Sequence, residues 1–452
     1  MQPANRINVS DLIDHAPLGA FQIGVCFLCG LSLIMDGFDT QAMGYVAPAI
    51  IQQWKIPSAS LGPVFGAAPL GVLFGSLAFS ILADKIGRRP VLIALTLFFS
   101  VLTILTARAG SVNELLVLRF IAGMGLGGII PNATALVGEF SPRGVRIFMM
   151  MLATNFFNAG AAFGGFVSAW LIPSFGWRSV FYFGGIVPLV VGALMLFLLP
   201  ESIQFLALRG RQSDNVRKWL KRIAPQAPIN GSTQFVVREH KHAGMPFLQL
   251  FRQGRATMTI LLWVINFMNL LNVFLLASWL PTVMKGAGYS TSTAVLVGTT
   301  LQVGAVVGTL VLGWLIEKLG FVPVLSTCFV VACINVALIG KPGLPLILLF
   351  AVVFVAGWCI TGAQPGVNAL SATYYPTNLR STGIGWGLGV GRIGAIVGPV
   401  VAGELIGLRW SSQALFIAAA IPALISALLV FSLRWVAKPQ AIPAIGTEVL
   451  AH

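Results

Sequence analysis

Charge is what this 452-residue sequence has least of: Asp, Glu, Lys and Arg together make up only 9% of it. A water-soluble domain carries about 25%, so a soluble enzyme, a soluble nucleic-acid-binding domain and a disordered chain are all excluded. Acid is scarcer than base, 13 residues against 28, for a formal charge of +15. Histidine occurs four times, at His15, His240, His242 and His452, and never within an apolar run. His240-Lys-His242 alone makes a poor metal site, and neither a metal nor any other cofactor is expected. A G-x-x-x-x-G-K-S/T loop is absent, so the chain encodes no nucleotide-driven motor. The five cysteines (Cys26, Cys29, Cys328, Cys333 and Cys359) all lie inside apolar runs. Cys26 and Cys29 form a C-x-x-C, but in so apolar a setting a thiol is a small hydrophobe.

What the chain does have is apolar length: 57% hydrophobic residues and a mean hydropathy of +0.90. About 20 consecutive apolar residues span a bilayer. Such runs fall at 20–48, 59–83, 91–108, 113–140, 147–172 and 179–199, and again at 256–283, 292–316, 322–340, 344–372, 383–406 and 412–436. The expected fold is an all-α membrane protein of twelve transmembrane helices in two six-helix bundles, 20–200 and 256–436. A soluble lead-in (1–19), a central loop (201–255) and a tail (437–452) complete it. The lead-in lacks the basic-then-apolar order of a signal peptide.

The basic residues orient the helices. With both termini cytoplasmic, 20 of the 28 Lys and Arg fall on the cytoplasmic side and one in each of six outer loops. That is the bias expected of an inner-membrane, multi-pass chain. The positive charge therefore faces anionic lipid, and no nucleic-acid partner is expected.

The halves also repeat. A shift of 233 lays Asp84-Lys85-x-Gly87 on Glu317-Lys318-x-Gly320, and Asp36 and Asp39 on Asn269 and Asn272. A shift of 234 lays Gly128, Pro131 and Arg146 on Gly362, Pro365 and Arg380. Paired parallel repeats belong to transporters that bind their cargo at the midplane between the halves.

Four charged residues lie deep inside the apolar runs, more than a helical turn from either end: Asp36, Asp39, Arg119 and Arg392. Each costs at least about 2.5 kcal/mol to place at mid-membrane and so marks function. Asp36 and Asp39, three apart on one helix, share a face. Arg119 opens Arg119-x-x-x-Gly123-x-x-x-Gly127, whose glycines admit a neighbouring helix. An acid beside this arginine is ionised, and apart from it in an apolar wall takes up a proton. Asp36, Asp39 and Arg119 are therefore the expected proton-coupling group. Arg392 needs an anion, either an aspartate across the bundle or a carboxylate substrate. Asn155, Asn158, Asn269, Asn272, Gln364 and Trp386 are the candidate remainder of a substrate wall.

The loop Ser80-Ile-Leu-Ala-Asp84-Lys85-Ile-Gly87-Arg88-Arg89-Pro90 resembles the signature loop of the major facilitator superfamily, with Ser80 in place of its first glycine. Asp84, Arg88 and Arg89, with Glu139, are the expected conformational gate. More specifically, Asp36-Gly37-Phe38-Asp39-Thr40-Gln41 is similar to the first-helix D-G-x-D signature of the aromatic acid:proton symporters. Further likeness lies in Leu118-Arg119-Phe120 through Pro131-Asn132-Ala133, in Gly176-Trp177-Arg178 and in Leu199-Pro200-Glu201-Ser202. It continues in Ser278-Trp279-Leu280-Pro281-Thr282 and from Tyr375-Pro376-Thr377 to Gly391-Arg392-Ile393-Gly394.

The resemblance covers all twelve runs and implies proton-coupled import of 4-hydroxybenzoate, protocatechuate or a related aryl acid across the bacterial inner membrane, by a monomer. It implies that Asp36, Asp39 and Arg392 are essential, with Arg119 carried over from the wider symporter pattern. Two departures narrow it. The fifth run lacks the Gly-Pro of exchangers, and the seventh offers asparagines where sugar porters carry paired glutamines. An exporter of the same fold, or a receptor that binds aryl acids without flux, remain the alternatives.

Overall fold

The computed structural model describes residues 6–209, 213–225, 233–236, 246–252, 254–375 and 379–436. His240, His242, Pro376, Thr377 and the 437–452 tail lie outside the described residues. Among the described residues twelve helices are long and apolar enough to cross a membrane. Spans one to six are Ala20–Trp54, Ser58–Ile86, Arg88–Thr106, Val112–Phe140, Arg146–Phe175 and Arg178–Leu198. Spans seven to twelve are Ala256–Gly286, Thr291–Leu319, Phe321–Ile339, Leu346–Tyr374, Thr382–Gly407 and Ser412–Val436. Large apolar side chains such as Phe27, Phe197 and Ile347 stand exposed on the outside, the surface that hydrocarbon rather than water would cover.

The internal repeat is visible in the backbone. The second span ends at Gly87 (φ +110°) and the eighth at Gly320 (φ +83°), a left-handed turn that glycine alone enters without strain. In each case the glycine N–H closes the helix, onto Ala83 and Ile316 respectively. The fourth and tenth spans are each broken at the paired glycines. The fourth divides into Val112–Gly127 and Ile129–Phe140 about Gly128. The tenth divides into Leu346–Ile360 and Gln364–Tyr374, with Gly362 in the gap. Pro131 and Pro365 follow the breaks, where a missing N–H is tolerated in the first turn of the next segment.

The contacts joining the halves lie toward the ends of the spans opposite the Asp84–Pro90 loop. There a Cβ on Gly62 of the second span would sit 3.4 Å from Gly403 of the eleventh. Phe65 meets Trp279 edge-on at 5.0 Å. Ser292 of the eighth span donates to the Ala169 carbonyl of the fifth. Nearer the middle, Gln41 donates to the Ala277 carbonyl at 2.6 Å and accepts from Gln302 at 3.1 Å.

The lead-in and central loop carry more structure than their polarity implies. Arg6–Asn8 pairs in parallel with Gln234–Val236, and Val9–His15 is a helix with Val9 and Ile13 buried. A helix at Ser213–Ile223 buries Val216, Leu220 and Ile223, which fall on one helical face. Its Trp219 stacks on Phe21 of the first span at 5.2 Å. Over 6–15 the lead-in forms a docked layer on the first bundle, where Asp14 pairs with Arg146 of the fifth span.

Candidate functional site

The buried charges are positioned by helices that approach closely at glycine. A Cβ on Gly37, between the two aspartates, would collide with the Phe157 carbonyl, and one on Gly160 with the Ile34 carbonyl. The first and fifth spans therefore cross in backbone contact. Likewise a Cβ on Gly127 would lie 2.5 Å from the Val72 carbonyl, and one on Gly123 would strike Ala68. The arginine-and-glycine face of the fourth span is thus pressed on the second, which fixes Arg119 in the bundle interior, 1% exposed.

Arg119 is committed to Asp39. Its Nη1 donates to Oδ1 at 3.1 Å and its Nη2 to Oδ2 at 2.8 Å, while Nη2 also reaches the Asp39 backbone carbonyl at 3.0 Å. Thr103 of the third span donates to Oδ1 at 2.7 Å. Asp39 is 0% exposed, and both carboxylate oxygens are satisfied. Sequence reading missed Thr103, since a threonine in an apolar helix usually bonds its own backbone.

Asp36 is placed differently. It is 2% exposed, its Oδ1 receives only a 3.4 Å bond from Thr40, and its Oδ2 has no partner. It faces a cavity of about 490 Å³ between the halves, whose wall also includes Arg119 and, from the eleventh span, Arg392. Arg392 forms no ion pair within 4.0 Å among the described residues. The rest of the wall is mainly apolar, with Phe65, Phe157, Phe274 and Leu388, and a few hydroxyls, among them Ser76, Thr134 and Ser278. The cavity follows the second span from Val64 to Ser80, a length of about 24 Å at the helical rise. It ends near the Asp84–Pro90 loop, the face away from the inter-half contacts.

The other expected wall residues do not line this cavity. Gln364 and Asn269 belong to an amide chain between the seventh and tenth spans. Asn269 donates to Gln364 at 2.7 Å, and Gln364 donates to Asn266 and Asn368, each at 3.1 Å. Asn272, the repeat counterpart of Asp39, is buried with its Oδ1 unpartnered. Asn155 and Asn158 bond to each other on the fifth span at 3.4 Å. Trp386 departs from expectation outright. It is 47% exposed and packs on Phe247 at 4.5 Å and Trp263 at 6.1 Å. It is an outward-facing aromatic of the kind found at interfaces.

The expected gate residues also form a cluster, but within one half. Arg88 pairs with Glu139 of the fourth span, and Glu139 accepts from Ser202. The Glu201 carboxylate takes the backbone N–H groups of Arg88, Arg89 and Ser202 at 2.8–3.1 Å, capping the third span, where negative charge suits the helix dipole. Arg89 donates to the Leu196 carbonyl at 2.6 Å. Asp84 stands next to this cluster in sequence and makes none of these bonds. Together these bonds lace the ends of the third, fourth and sixth spans.

Comparison with known proteins agrees with this architecture. The sugar (and other) transporter family profile matches residues 25–433. The 4-hydroxybenzoate transporter PcaK of Pseudomonas aeruginosa is 40% identical over 92% of this chain and 94% of its own. The gallate transporter of Pseudomonas putida is 36% identical over 97% of each. Among solved structures, the partially occluded, inward-open xylose transporter XylE of E. coli superposes with a TM-score of 0.71. It covers 92% of this chain and 98% of its own, at 14% identity, a likeness of fold. The chain is a multi-pass membrane transporter rather than an enzyme, and it belongs to the sugar (and other) transporter family of the major facilitator superfamily, grouping there with the aromatic acid transporters.

Proposed function

We propose that this protein imports an aromatic carboxylate of the hydroxybenzoate type together with protons, by alternating access across the bacterial inner membrane. Both termini and the Asp84–Pro90 loop are then cytoplasmic, and the cavity faces inward. The observation that carries this reading is Arg392: a guanidinium with no ion pair among the described residues, on the wall of a largely apolar cavity. Such a group calls for a planar carboxylate, which it matches with two parallel hydrogen bonds, while the phenylalanines suit an aromatic ring. The names of the relatives point to the same substrate class.

Proton coupling is assigned to Asp36, Asp39 and Arg119. Moving one carboxylate inward against 100 mV costs about 2.3 kcal/mol, and a proton that travels with it cancels that cost. Asn155, Asn158, Asn269, Asn272 and Gln364 are the amides available to ring hydroxyls when the halves close. The Arg88–Glu139 and Glu201 bonds keep the first bundle rigid as it rocks, and Asp84 is the acid left to engage the opposite bundle. The chain works as a monomer in this reading.

The test is uptake of a radiolabelled aryl carboxylate panel by proteoliposomes with an inside-alkaline gradient. Accumulation of at least one member, collapsing with a protonophore, supports the proposal and names the substrate. Protein shown to be folded that accumulates none of them sinks it. Gradient-driven extrusion would instead identify an exporter.

A further inference from the structure

The two first-span aspartates are not equivalent. Asp39 is enclosed by Arg119 and Thr103, with no unsatisfied carboxylate oxygen. Removing its arginine would leave a buried charge uncompensated, a penalty that makes separation of the two during each cycle expensive. Among the described residues, Asp36 has one oxygen without a partner, and it shares a cavity with an arginine, Arg392, that has no ion pair. The charged groups facing Asp36 are Asp39 on its own span, Arg119 from the fourth and Arg392 from the eleventh. The second, fifth and seventh spans present none at that level.

We infer that Asp36 carries the transported proton, and that the substrate carboxylate replaces Asp36 as the counter-ion of Arg392 while Asp39 and Arg119 stay paired. This rests on the reading of the protein as an aryl-acid symporter and assigns the coupling within it. The site's charge decides the order of events. Empty, ionised Asp36 and Arg392 sum to zero. A substrate carboxylate entering beside ionised Asp36 would leave a net negative charge in a low-dielectric wall. A proton on Asp36 without substrate would leave Arg392 uncompensated. Both single-loaded states are penalised. The site is balanced only when empty or when holding one proton, as the Asp36 carboxylic acid, and one aryl carboxylate on Arg392. One proton then accompanies each monoanion, and the loaded and empty carriers both cross with the same site charge.

The experiment measures protons taken up per substrate bound. The full-length protein in detergent is titrated with radiolabelled substrate identified by the uptake panel, in weakly buffered solution with a pH indicator, across a pH series. Wild type is expected to take up one proton per carboxylate bound at every pH where empty Asp36 is ionised. Asp36→Asn is expected to bind with no proton uptake, and Asp36→Glu to restore uptake with a displaced pH profile. Proton uptake that persists in Asp36→Asn overturns the inference and leaves the symporter reading standing. If Asp36→Asn does not fold, Asp36→Glu still decides: an unmoved pH profile overturns the assignment, and a moved one supports it. Failure of wild type to bind any aryl carboxylate sinks the symporter reading itself.

Discussion

Arg119 closes both arms of its guanidinium on the Asp39 carboxylate, at 3.1 and 2.8 Å, in a site where neither residue is more than 1% exposed. Truncating one member of such a pair leaves the other charged and unpaired, at a cost of about 3–5 kcal/mol. Asp39→Asn and Arg119→Gln are each expected to lower the melting temperature of the purified protein strongly. The double variant recovers most of that loss without recovering transport. A double variant whose loss equals the sum of the two single losses would show that the pair contributes no coupling.

Gly37 is expected to tolerate no side chain. A Cβ there meets the Phe157 carbonyl, backbone that cannot rotate away, so the first and fifth spans must separate. Gly37→Ala should abolish uptake and reduce monodisperse protein in size-exclusion chromatography. Gly24→Ala, where nothing lies within 4 Å of the added carbon, should do neither.

Glu201 accepts from two backbone N–H groups at the start of the third span, those of Arg88 and Arg89, and from that of Ser202 beside it. Glu201→Ala is expected to cost about 1–2 kcal/mol, as for loss of a helix cap. It should leave the substrate concentration for half-maximal uptake unchanged, because no bond of Glu201 reaches the cavity. A shift in that concentration with unchanged stability would contradict the assignment of this cluster to the rigidity of one bundle.

The halves meet at Ala59 and Gly407, where a Cβ added to Gly407 falls 3.1 Å from that of Ala59. That approach is close to disulfide geometry. The A59C/G407C variant should cross-link under mild oxidation and lose uptake, which reductant restores. Uptake undiminished in fully cross-linked protein would mean that this contact is not broken during transport.

How much of this was legible in the sequence depends on the range of each interaction. The twelve spans were legible because hydrocarbon demands length, and the breaks at Gly128 and Gly362 left a trace as repeated glycine and proline. The Asp39–Arg119 pair could be expected from cost alone, since charges so placed must meet. Which aspartate met Arg119 could not, because both occupy one helical face and only the fold brings Thr103 to Asp39. Trp386 was misplaced for a related reason. The eleventh span carries glycines at Gly383, Gly385, Gly387, Gly389 and Gly391, so its hydrophobicity does not distinguish inside from outside. The Gln41–Gln302 bridge joins residues far apart in the chain, and the paired strands are three residues each, too short to leave a pattern.

The central claim is that carboxylate and proton cross together. The most direct measurement is the internal pH of proteoliposomes loaded with an indicator and given no gradient, when unlabelled aryl carboxylate is added outside. Prompt internal acidification, saturable in substrate and lost in Arg392→Ala, is the predicted result. Uptake of the same substrate by wild type with no saturable pH change would contradict the account, because the carboxylate would then cross without a proton.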